Sequence, residues 1–167
     1  MIIVCPLSKV QPLVDEHSVR DVVSLLGPDT PHRSFAGVAA ERHLRLTFHD
    51  IIEPVDGFTA PRAADARRIV TFFSDRNRRT PLLIHCWAGI SRSTAAAFTA
   101  LCLFNPHADE EELAFDLRRA SPSATPNRLI VALADAELSR GGRMVRAIDR
   151  IGRGANAFEG EPFFLQA

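Results

Sequence analysis

Cys86 and Arg92 bracket five residues without side-chain charge, Trp87-Ala88-Gly89-Ile90-Ser91, and a hydroxyl follows at Ser93. An ionised thiol can attack an electrophilic centre, and a planar guanidinium can hold two oxygens of an oxyanion at once. The pairing suits a phosphate monoester, whose negative charge repels nucleophiles in water and must be neutralised before attack. Gly89 allows the curvature of a short anion-binding loop. Ser93 can donate a hydroxyl bond to the sulfur, and His85, just before the thiol, can orient the loop by hydrogen bonding. The reaction also needs an acid at the leaving oxygen. Two upstream aspartates are candidates: Asp50, directly after a strand-like run, and Asp56, in the turn-like Val55-Asp56-Gly57. A strand end is the more rigid mount, which favours Asp50 and leaves Asp56 as the alternative.

The elements that must position these groups can be read around them. Pro81-Leu82-Leu83-Ile84-His85 is a short apolar run of the kind buried on both faces of a sheet. From Arg92 the residues Ser93-Thr94-Ala95-Ala96-Ala97-Phe98 are helix-tolerant, and the run stays apolar through Leu103. A strand, a tight loop and a helix result, and backbone N–H groups at a helix N-terminus favour an anion and an ionised thiol. Upstream, Ile2 to Cys5 and Val19 to Leu26 are strand candidates, with one or two helical turns between Leu7 and His17. Pro31 to Arg42 reads as loop, His43 to Phe48 alternates as a strand does, and Ile51 to Pro61 is loop again. An amphipathic helix follows Pro61. Strand, helix and buried strand in succession predict a crossover unit and a parallel sheet.

Downstream, Ala108 to Ala120 is helical, with acids early and arginines late. Helical patterns recur from Arg128 toward Arg140 and from Arg143 to Ile151. Arg67-Arg68 and Arg76-Arg78-Arg79 read as solvated faces, and Glu110-Glu111-Glu112 as a helix start. Gly152 to Ala167 has no period. The expected division is one domain over 1–152 and a tail over 153–167, packed on it or mobile.

The 20 basic and 20 acidic residues balance, which argues against a mainly electrostatic nucleic-acid or membrane binder. Lys9 is the only lysine, an arginine bias that reads as genomic and bacterial. The apolar start Met1 to Cys5 is too short for a signal peptide, and no stretch approaches a membrane span. Cys5, Cys86 and Cys102 lack metal-ligand spacing, so no metal is expected, and a reducing cytoplasm fits them. Cys102 reads as a core residue, and a disulfide between Cys5 and Cys86 as the lesser alternative to a free thiol.

The run His85-Cys86-Trp87-Ala88-Gly89-Ile90-Ser91-Arg92-Ser93 resembles the H-C-x5-R-[ST] signature of the cysteine-dependent protein tyrosine phosphatases, most like their small dual-specificity branch. The resemblance implies an α/β fold, a twisted, mainly parallel sheet with helices on both faces. It implies Cys86 as the nucleophile that becomes a phosphocysteine and Arg92 as the phosphate clamp. Ser93 would assist hydrolysis of the intermediate, and Trp87 to Arg92 would form the phosphate-binding loop. Leu46-Thr47-Phe48-His49-Asp50 looks like the strand end that delivers the family's acid, and Pro126-Asn127 like a downstream family feature. The implied substrate is a phosphorylated protein or small phosphate ester, with no cofactor, nucleic acid or membrane. Phosphotyrosine comes first, with phosphoserine and phosphothreonine as further substrates. Two alternatives share the same loop: a phosphoprotein-binding module without turnover, and a sulfurtransferase or arsenate reductase.

Overall fold

A computed structural model describes residues 1–166. Its centre is a five-stranded sheet of β1 (Ile2–Pro6), β2 (Asp21–Leu26), β3 (His43–Thr47), β4 (Leu82–Cys86) and β5 (Phe163–Leu165), in the order β3-β2-β4-β1-β5. The first four strands run parallel, and β5 joins the edge antiparallel to β1. β4 is the middle strand, fully buried, with Ile2 to Pro6 of β1 in register with Leu82 to Cys86 on one side and β2 on the other. Its apolar stretch Leu82-Leu83-Ile84 is what burial on both faces demands.

The helices are α1 (Val10–Glu16), α2 (Ala63–Ser74), α3 (Arg92–Phe104), α4 (Glu110–Ala120), α5 (Arg128–Glu137) and α6 (Arg143–Ile151). They cover both faces unequally. Ile3, Cys5, Val22 and Leu83 pack with Val10, Leu13 and Val14 of α1 and with Phe35, whereas the larger core on the other face draws on α2 to α6. α3 is buried on nearly every side, so its small residues serve close packing rather than a solvent face. α4 begins under Asp109, whose Oδ1 accepts from Glu111 N at 2.7 Å, with acids in its first turn and arginines in its last.

The expected strand from Val19 begins at Asp21, and the helix expected to reach Arg140 ends at Glu137. Glu110 does start a helix as expected, but it is interior, and so is Arg76, which was expected on a solvated face. Arg76 is buried and pairs with the fully buried Asp21 (3.6 Å), which Arg42 also contacts. Glu110 is buried between Arg140 (2.9 Å) and Arg143 (3.0 Å). Both are ion pairs between segments distant in sequence. The tail carries β5, with Phe163 and Leu165 in the larger core and Phe164 outward against His17. Ala167 lies outside the described residues.

Candidate active site

The carboxyl end of β4 delivers Cys86 into a loop that becomes α3 at Arg92. Outer edges at the carboxyl ends of parallel strands are where open α/β sheets bind ligands. The loop is shaped by bonds made away from its interior. Trp87 O accepts from Leu7 N (3.1 Å), Ala88 O from Gly160 N (2.8 Å), Ile90 O from Thr125 N (2.9 Å) and Ser91 O from Asn127 N (3.3 Å). In a trans peptide the N–H opposes the carbonyl, so tying these oxygens outward turns the partner N–H groups inward. Gly89 makes the turn possible. Its φ is +74°, and a Cβ there would lie 2.7 Å from Pro6 N and 2.8 Å from the Cys5 carbonyl carbon.

Within the loop, Cys86 Sγ accepts from Gly89 N at 3.2 Å and lies 3.2 Å from Ser93 Oγ. Arg92 is buried. Its Nη1 donates to Phe48 O at 3.0 Å, while its Nε is buried without a hydrogen-bond partner among the described residues. One nitrogen is anchored and one buried donor is left for a further acceptor such as an oxyanion.

Asp50 stands across from this arginine, its Oδ2 3.9 Å from Arg92 Nε. Its Oδ1 accepts from Ser91 Oγ and from Asn127 Nδ2, each at 2.7 Å. Asn127 uses both ends of its amide: Oδ1 caps α5 by accepting from Ile130 N (3.0 Å), and Nδ2 is left to hold Asp50. Asp56 is exposed in the loop after β3 and makes no hydrogen bond or ion pair among the described residues. Thus Cys86, Arg92, Ser93 and Asp50 converge and Asp56 does not join them. Asn127 was visible in the sequence only as part of a Pro-Asn pair. Its contact with Asp50 spans 77 positions, which no local pattern reports.

Behind the loop, fully buried His85 sits in a polar chain. Its Nδ1 lies 3.3 Å from Cys86 O, and Ser24 Oγ contacts both His85 Nε2 and His43 Nε2, the latter at 2.7 Å. Every group is satisfied if His85 Nδ1–H donates to Cys86 O, Ser24 donates to His85 Nε2, and His43 Nε2–H donates to Ser24. Burial holds His85 down to about 3 and His43 down to about 4, so both rings are neutral.

The other cysteines stand apart. Cys5 faces the α1 side of the sheet, opposite Cys86, and burial pushes its thiol up, with the neighbouring Cys86 adding to the effect. Cys102 is fully buried on α3, and burial pushes its thiol up to about 12. Trp87 is partly exposed and meets Phe158 of the tail edge to face, with ring centres 5.4 Å apart.

No family model and no curated protein matches this sequence. Solved structures do match its architecture. A Cydia pomonella PTP-2 phosphatase superposes with a TM-score of 0.63 at 21% identity, covering 81% of this chain and 84% of its own. The fold is that of the protein tyrosine phosphatases. Within this phosphatase fold, DUSP15 gives a TM-score of 0.63 at 14% identity over 92% of this chain and 94% of its own. A human tyrosine phosphatase-like serine/threonine/tyrosine-interacting protein gives 0.63 at 15% identity over 84% and 92%. The mainly parallel sheet with helices on both faces is the shared architecture.

Proposed function

We propose that this protein is a phosphatase that hydrolyses phosphate monoesters through a phosphocysteine on Cys86, with protein phosphotyrosine as its leading substrate. Phosphoserine and phosphothreonine are further substrates of the same site. Phosphatases and a phosphatase-like interacting protein share the fold, so the choice between turnover and binding falls to the loop. The observation that carries the reading is the sulfur of Cys86 held by Gly89 N–H and the Ser93 hydroxyl, beside the unpartnered Nε of Arg92.

In the first step Sγ attacks phosphorus, the P–O bond to the leaving group breaks, and Asp50 gives that oxygen its proton. Arg92 and the inward N–H groups take the charge on the equatorial oxygens. In the second step Asp50 takes a proton from a water that attacks phosphorus. The P–S bond breaks, inorganic phosphate leaves, and Ser93 steadies the departing thiolate. Arsenate reduction is less well supported, because a resolving thiol is needed and Cys5 and Cys102 are both buried away from the loop interior.

Hydrolysis of nitrophenyl phosphate with a chelator present tests the proposal. Wild-type protein should release phosphate, and Cys86→Ser should fall to the rate of buffer. Equal rates for the two proteins would end it, and tight phosphopeptide binding without release would favour the binding module.

A further inference from the structure

We propose that Arg153, on the segment that straps the tail across the loop, selects substrates by pairing with an acidic side chain next to the phosphorylated residue. This rests on the phosphatase reading. A cleft of about 480 Å³ adjoins the site, and Ile90, Ser91, Thr125, Arg153, Asn156 and Phe158 line it. It meets the catalytic groups at Ser91, whose hydroxyl holds Asp50. A group seated there would lie against the Ile90-Ser91 side of the loop.

Arg153 is the cleft's only charged lining residue, and it is exposed, with no ion pair or hydrogen bond among the described residues. The backbone that presents it is fixed on both sides. Arg118 donates to Ile151 O (2.8 Å) and Gly152 O (2.7 Å), Gly154 N to Thr125 Oγ1 (3.1 Å), and Ala155 N bonds Pro122 O (2.9 Å). Gly154 lies so close to the chain beneath that a Cβ would come within 2.6 Å of Ser123 C. Farther on, Gly160 N bonds Ala88 O, so the strap is tied to the loop as well as to the chain beneath it. One guanidinium on such a mount matches one carboxylate. A multiply phosphorylated headgroup would call for several cations. The Asn156 amide can bond a peptide backbone, and the Trp87–Phe158 pair gives an apolar rim for neighbouring side chains.

Phosphotyrosine peptides of one length test this, with glutamate on the N-terminal side, on the C-terminal side, or alanine on both. Their kcat/KM is taken relative to nitrophenyl phosphate in the same variant, and their affinity is measured on Cys86→Ser protein, so the answer stands whether or not the protein turns over. At low salt one acidic peptide should be favoured by about three- to five-fold, as a surface ion pair allows. The preference should vanish in Arg153→Ala, invert in Arg153→Glu and shrink as salt is raised. Arg79→Ala, at the opposite end of β4, should keep it. Equal use of all three peptides by wild type with equal binding by Cys86→Ser, or a preference that survives Arg153→Ala in either background, would overturn the proposal. Loss of nitrophenyl phosphate hydrolysis in wild type would overturn the phosphatase reading alone.

Discussion

At the scale of the residue, the acid is the group whose assignment depends most on contacts. Asp50 and Asp56 are equally carboxylates, and only Asp50 is held near Arg92, by Ser91 and Asn127. Asp50→Asn should slow phenyl phosphate about 100-fold, the low end of general-acid effects. Nitrophenyl phosphate should lose less, because its leaving group needs the proton less. An equal loss on both esters, or a larger loss in Asp56→Asn, would move the acid elsewhere. In the proposed mechanism Asn127 would act through Asp50, which its amide holds. Asn127→Ala should slow phenyl phosphate less than Asp50→Asn does and have almost no further effect once Asp50 is Asn. Removing the cap should also destabilise the protein by about 1 kcal/mol, measured by denaturant unfolding.

At the scale of the element, β2, β3 and β4 share the chain from His43 through Ser24 to His85. Both histidines stay neutral when folded, down to about 4 and about 3, but take a proton near pH 6.5 when unfolded. Below that pH the unfolded chain binds more protons, so stability falls as pH drops from about 6.5 toward the folded values. At pH 5 the loss is about 2 kcal/mol per histidine. Thermal unfolding should come earlier at pH 5 than at pH 7, and His43→Gln should remove about half of the difference. Identical midpoints at the two pH values would mean that the rings are not held neutral. The sequence marked His85 for its place beside the thiol, yet neither Ser24 nor His43 carries a local sign of joining it. They meet through strand register across the sheet.

At the scale of the whole molecule, the tail closes the sheet and braces the loop. β5 covers the β1 edge with backbone bonds and buries Phe163 and Leu165, and Gly160 ties the strap to Ala88. Phe163→Ala should cost about 3 kcal/mol, as large-to-small changes in a core do. Denaturant unfolding would check this, and a loss near zero would show that the edge is held without it. The described residues include no helix long and apolar enough to cross a membrane.

The sequence by itself determined the loop, because its chemistry is local: Cys86, Gly89, Arg92 and Ser93 lie within one strand-turn-helix, and the apolar run, the glycine and the helix-forming residues all point to the same conformation. It also determined the crossover unit, since a strand run, an amphipathic helix and a buried apolar strand follow one another from His43 to His85. Only the tertiary structure decided which aspartate faces Arg92, that Asn127 holds it, that Arg76 and Glu110 are interior, and that the tail becomes a strand. Each of these is a meeting of groups far apart in the chain. Such contacts depend on how the elements pack, and that information is spread over the whole core rather than written beside either partner.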